Sequence, residues 1–147
     1  MKKRKNEKKT LRKGIVIVSM ATILILFQSG NVHAAGSSEN MKTPVIITEI
    51  VADTDNVNGA DAWEYVELYN TSNQIIQLNQ YELIYNGDIW SPDQSGITIE
   101  PGKTVVLWII NDGNKDCTAE EFNTYYGTNL EMGRNLATIH SGGLHNS

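Results

Sequence analysis

The chain has 147 residues with 12 basic and 17 acidic side chains, a formal net charge of −5, and a single cysteine, Cys117. Eight of the basic residues (Lys2, Lys3, Arg4, Lys5, Lys8, Lys9, Arg12, Lys13) and one acid, Glu7, lie in the first 13 positions, so residues 35–147 keep four basic and 16 acidic groups, a formal net of −12. Such a surface repels a phosphate backbone and argues against direct nucleic-acid binding, and one cysteine excludes an internal disulfide, so the core must hold the fold unaided.

The basic head is followed by an apolar run over residues 15–27, interrupted only by Ser19 and Thr22, then by Gln28-Ser29-Gly30-Asn31 and Val32-His33-Ala34. Basic head, short apolar middle and a small residue at the exit describe a secretory signal peptide over residues 1–34, cleaved after Ala34. A retained membrane anchor is the competing reading, but the run falls short of the roughly 20 residues of a spanning helix, so no stable membrane span is expected after cleavage, and the mature protein is expected to be secreted. Residues 35–43 read as a polar linker. The remaining residues 44–147 suffice for one domain and not for two.

Pro44 opens a first strand, Val45–Val51, whose nearly continuous apolar run predicts partial burial on both sides. Residues 53–64 form an acidic loop of 12 positions, with Asp53, Asp55, Asp61 and Glu64 at the first, third, ninth and twelfth. That spacing has the length of an EF-hand calcium loop, but Val57 stands at the fifth place, Asn58 replaces the glycine at the sixth, and no helix pattern flanks it. Calcium held by those four carboxylates in another geometry is one reading. A solvated loop turned by Asn58-Gly59 is the other.

Residues 63–70, Trp-Glu-Tyr-Val-Glu-Leu-Tyr-Asn, alternate as a half-buried strand, with Val66 and Leu68 on one face and Tyr65, Glu67 and Tyr69 on the other. Short strands follow at 74–78 and 81–85, with a turn at 78–81, and Asn86-Gly87 signals a hairpin. Residues 90–93 read as a loop, 97–99 as a short strand, and Glu100-Pro101-Gly102-Lys103 as a turn. Residues 104–110 are the most apolar strand and are expected in mid-sheet, with Val106 and Trp108 inward. Thr118-Ala119-Glu120-Glu121 is a capping box. It starts a helix with Phe122, Tyr125 and Tyr126 on one face and Gly127 at its end. This helix is expected to cover an open end of the sandwich, with ligand stacking by the two tyrosines as the alternative. Leu136–His140 is the last strand.

Catalysis would need a nucleophile, a base and an orienting group. Cys117, His140 and His145 show no spacing that makes a dyad or a zinc site. Glu64 and Glu67 fall on opposite strand faces, where solvated or rim positions are expected. No glycine-rich phosphate loop is present. The chain is therefore read as non-enzymatic.

The succession Val45-Ile46-Ile47-Thr48-Glu49-Ile50, Trp63 to Asn70 with Asn73 in the turn, Ile76-Gln77-Leu78, Tyr81-Glu82-Leu83, Ile99-Glu100-Pro101-Gly102-Lys103, Val105-Val106-Leu107-Trp108, Phe122 to Gly127 and Ser141 to Ser147 resembles the lamin tail domain as found in secreted bacterial proteins. The resemblance implies an all-β, immunoglobulin-like β-sandwich with one short helix. It also implies about two further strands beyond the segment matching residues 142–147, so the domain is expected to be C-terminally incomplete. An unpaired edge would then invite homo-oligomers or a partner's strand. Similar bacterial domains occur in exported proteins, sometimes beside phosphohydrolase or nuclease domains, which implies an accessory role. The leading expectation is a secreted, non-catalytic binding or tethering module for a protein or cell-surface partner. Its expected contact surface is an exposed Tyr65, Tyr69 and Trp90 with the acidic loop. The alternative is the N-terminal accessory fragment of an exported metallophosphoesterase or nuclease.

Overall fold

The computed structural model describes residues 43–145 and, before them, the backbone of two strands, β1 (Gly14–Ser19) and β2 (Thr22–Leu26). The cleavage position after Ala34 and residues 35–42 of the linker lie outside the described residues. In chain order follow β3 (Val45–Val51), β4 (Asn56–Val57), β5 (Ala60–Asp61), β6 (Tyr65–Asn70), β7 (Ile76–Gln77), β8 (Tyr81–Tyr85), β9 (Asp88–Trp90), β10 (Thr98–Ile99), β11 (Thr104–Ile110), a helix α1 (Ala119–Tyr126) and β12 (Leu136–His140). The turn expected at residues 78–81 is one turn of 3-10 helix, Leu78–Gln80.

The principal sheet has the order β12-β11-β6-β3. β6 runs antiparallel to β11 (Thr104 opposite Tyr69, Trp108 opposite Tyr65) and to β3. β12 lies parallel to β11, with Val106 opposite Leu136 and Ile110 opposite His140. A parallel neighbour requires a crossover that leaves the sheet and returns, and α1 lies in that crossover. The helix thus covers the second face of the sheet, not an open end of the sandwich as its position in the sequence suggested.

β11 is consequently buried on both faces. Val105, Leu107 and Ile109 join Val66, Leu68, Ala137 and Ile139 in the main core. Val106, Trp108 and Ile110 join Tyr65, Phe122 and Leu136 beneath the helix. Burial on both sides explains why this strand is an unbroken apolar run instead of an alternation. The second layer of the sandwich is built by β8–β9, turned by Asn86-Gly87, and by the β7–β10 pair. It contributes Tyr81, Leu83, Tyr85, Trp90, Ile76 and Ile99 to the main core. On its other side β8 pairs in parallel with β1, from Gly14 opposite Tyr81 to Val18 opposite Tyr85.

Both edges of the principal sheet are modified. On β12, Thr138 N–H donates to Gln94 Oε1 (2.7 Å) and its carbonyl accepts from Asp93 N–H (2.8 Å), so the loop after β9 covers the middle of that edge. On β3 the register shifts between Ile47 and Glu49, a bulge that interrupts pairing by another strand.

The capping box forms as its spacing predicts: Glu121 N–H donates to Thr118 Oγ1 (3.2 Å) and Thr118 N–H to the Glu121 carboxylate (2.7 Å). Thr118→Ala is expected to cost about 1 kcal/mol, seen as a lower urea midpoint with an unchanged slope.

Candidate functional site

The structure corrects the expected contact surface. Tyr65 and Trp90 are each only 9% exposed, and Tyr69 is half-buried. Tyr65 packs edge-on against Phe122 and Tyr126 and donates its hydroxyl to Glu49 (2.8 Å). Burial, and then the Glu49 carboxylate it bonds, push its hydroxyl pKa up, so it stays a donor. Trp90 leans on Tyr85 inside the sandwich. The alternation in residues 65–69 is real, but on the face expected to be wet Tyr65 lies under α1, while Glu67 and Tyr69 are half-buried.

The acidic loop is a small hairpin, β4 with β5, turned by Asn58 (φ 51°) and Gly59 (φ 87°), the Asn-Gly pair expected to turn it. Backbone and amide groups organise it. Thr54 N–H donates to Asp61 Oδ1 (2.9 Å), Asn111 Nδ2 to the Asp61 carbonyl (2.7 Å) and Asn58 Nδ2 to the Gly113 carbonyl (2.9 Å). Asp53, Asp55, Asp61 and Glu64 are not gathered into a calcium site: among the described residues no group of three or more His, Cys, Asp or Glu side chains is placed to hold a metal ion.

Glu64 departs furthest from expectation. It is not a rim residue but 1% exposed, and its carboxylate accepts the Leu144 N–H at 3.0 and 3.2 Å. Burial pushes its pKa up to about 7; the Leu144 hydrogen bond opposes this, and the charges of Asp61 and Asp53 add to it. A carboxyl raised in this way stabilises the fold fully below its unfolded value. The contribution is lost as pH rises through 7.

Cys117, His140 and His145 have different neighbours. Cys117 packs against the helix-side cluster, His140 Nδ1 meets Asp93 (2.8 Å), and the His145 ring lies over Tyr85. Burial, with Glu121 and Asp116 nearby, pushes the Cys117 thiol pKa up, which keeps it protonated and weakly nucleophilic.

One open cleft brings an aromatic face together with acids. It has a volume of about 510 Å³ and is lined by Trp63, Thr118, Glu120, Glu121, Thr124 and Tyr125. Tyr125 is 41% exposed and stacks on Trp63 (centroids 5.2 Å, 20° between planes), which stacks in turn on the buried Trp108 (5.9 Å, 16°). The Tyr125 hydroxyl faces the acidic loop, where the Asp55 N–H lies 3.5 Å away. Phe122 and Tyr126 anchor the helix inward, and Tyr126 donates its hydroxyl to the Trp63 carbonyl (2.6 Å). Tyr125 is thereby left facing outward. An aromatic face rimmed by carboxylates favours an ammonium or guanidinium group. Sequence reasoning had Tyr125 only as an alternative and did not connect it to Trp63, because their proximity depends on the crossover.

Residues 38–143 match the family model described as Lamin Tail Domain. The chain belongs to the lamin tail domain family. Among curated proteins this lamin tail domain is similar to the uncharacterized protein YvnB of Bacillus subtilis (strain 168), with 38% identity over 103 residues. That match spans 65% of this chain and 8% of YvnB. No solved structure matches the chain. The matched region takes in β3 through β12, so both the acidic loop and the Tyr125 cleft lie within it.

Proposed function

We propose that this lamin tail domain is a non-catalytic binding or tethering module of an exported protein, and that its contact surface is the cleft at Tyr125, Glu120 and Thr124, backed by the buried Trp63, together with the acidic loop. The partner it suits is a lysine- or arginine-bearing segment of a protein at the cell surface. The observation that carries this reading is the stacked pair Tyr125–Trp63, with its outer ring 41% exposed beside the carboxylates of Glu120 and Glu121. The formal charge of −12 on residues 35–147 adds attraction at longer range. Export rests on the leader pattern of residues 1–34.

The role of accessory module in a longer protein draws support from the small share of YvnB that the match occupies; a phosphohydrolase or nuclease partner domain is the alternative that the family resemblance raises. In this reading too, the lamin tail domain itself binds and does not catalyse.

Tyr125→Ala tests the assignment with little disturbance of the fold, because the ring is at the surface. The variant is expected to melt within about 3 °C of wild type while losing at least about fivefold in affinity for a hexa-arginine peptide, measured by tryptophan fluorescence at low salt, where cation–π contacts contribute about 1 kcal/mol. An unchanged affinity would remove the cleft from the contact surface.

A further inference from the structure

Four of the five residues that follow β12 are held by their backbone amides. Ser141 N–H donates to the Ile110 carbonyl (2.9 Å), Gly143 N–H to Ser141 Oγ (3.2 Å), Leu144 N–H to Glu64, and His145 N–H to the Tyr85 hydroxyl (2.8 Å). The Leu144 side chain enters the main core, and the His145 ring lies over Tyr85. Five residues with no regular structure thereby bridge the principal sheet and the second layer.

Glu64 is the centre of this attachment. The Leu144 amide is the only hydrogen-bond donor to its carboxylate among the described residues. Gly143 passes so close that a Cβ there would stand 2.9 Å from Glu64 Oε2, and its φ of +100° disfavours any other residue. From the acidic loop Asp53 and Asp61 act on Glu64, and from α1 Tyr126 does; β11 carries no titratable group, and within residues 141–145 only His145 does. No lysine or arginine is among these groups. An ionised Glu64 would therefore sit away from water with one amide donor and two acidic neighbours, an arrangement that favours letting water in. A neutral Glu64 can accept the same amide through its carbonyl oxygen without that cost.

We propose that residues 141–145 are a strap latched by Glu64, docked on the domain while Glu64 is protonated and loosened when it ionises. The raised pKa of about 7 places the change near neutrality. The sign follows from linkage: docking is favoured in full below the ordinary carboxylate range and is lost as pH rises through 7.

Hydrogen-exchange protection of the Leu144 and His145 amides, measured by NMR on the full chain, tests this. Between about pH 5.5 and pH 8, protection factors of wild type are expected to fall by ~10-fold, while amides of β6 and β11 stay protected. Glu64→Gln, neutral throughout and still able to accept from Leu144, is expected to hold the strap with a flat profile. Repeating both in a His145→Gln background separates the strap's own histidine from Glu64. Gly143→Ala is expected to release the strap at every pH and leave the sheet protected. A flat wild-type profile, a Glu64→Gln variant that keeps the wild-type slope, or a Gly143→Ala variant with Leu144 still protected would each overturn the latch.

Discussion

Trp108→Ala is expected to destabilise the domain by about 3–5 kcal/mol, the range for removing a large aromatic from a core. Trp108 is 1% exposed and is shared by the sheet and the helix. Its ring touches Phe122 (5.0 Å between centroids) and stacks on Trp63, and its Nε1–H donates to the Ala62 carbonyl (2.9 Å). Alanine would open a cavity beneath α1, leave the Ala62 carbonyl with one donor, Asn114 Nδ2, and remove the support behind Trp63. Each kcal/mol moves the melting point of a domain of this size by about 4–8 °C, so the midpoint should fall by roughly 15 °C or more. Trp108→Phe keeps most of the volume and should cost about 1–2 kcal/mol, chiefly the lost hydrogen bond. Thermal melts by circular dichroism would separate the two. Equal melts for Trp108→Ala and wild type would mean that the helix does not pack on this face.

The second large effect is expected at Asn70, the last residue of the strand motif. It is fully buried. Its Nδ2 donates to the carbonyls of Gln74 (2.7 Å) and Ile99 (2.8 Å), and its Oδ1 accepts from Ser72 N–H (2.9 Å) and Ser72 Oγ (2.7 Å). One amide therefore closes the turn after β6 and ties it to β10 in the other layer. Asn70→Leu has similar volume but none of these bonds. With about 1–3 kcal/mol for each buried polar group left unpaired, a loss of roughly 3 kcal/mol is expected. Asn70→Asp keeps the acceptor but brings a carboxylate against two carbonyl oxygens, and its deficit should grow as pH rises above the carboxylate range. Urea titrations at about pH 4 and pH 7 would show this. A pH-independent deficit for Asn70→Asp would mean that the amide donors are not what matters.

The features legible in the sequence were local. The capping box at Thr118, the Asn58-Gly59 and Asn86-Gly87 turns and the alternation of Tyr65, Val66, Glu67, Leu68 and Tyr69 depend on residues a few positions apart. What was misjudged depended on distant partners. Tyr65 looked exposed because its cover, Phe122 and Tyr126, arrives through the crossover that sets β12 parallel to β11. Glu64 looked like a rim residue because its partner, Leu144, is 80 positions away. Trp90 looked like part of a loop, yet it ends β9 and turns into the sandwich. Nothing in the spacing of Trp63 and Tyr125 announced their stacking. A clue was available in Phe122, Tyr125 and Tyr126: a helix of two turns whose first aromatic is buried and whose last is half-buried against the sheet leaves the middle one at the margin.

Engagement of cationic segments through the Tyr125 cleft is read out by mapping NMR shifts of the full chain during titration with hexa-arginine. Saturable shifts are expected at Glu120, Thr124 and Tyr125 and at the Trp63 indole behind them, weakened by salt and largely absent in Tyr125→Ala. Shifts spread evenly over the acidic surface, or a map unchanged in Tyr125→Ala, would contradict it.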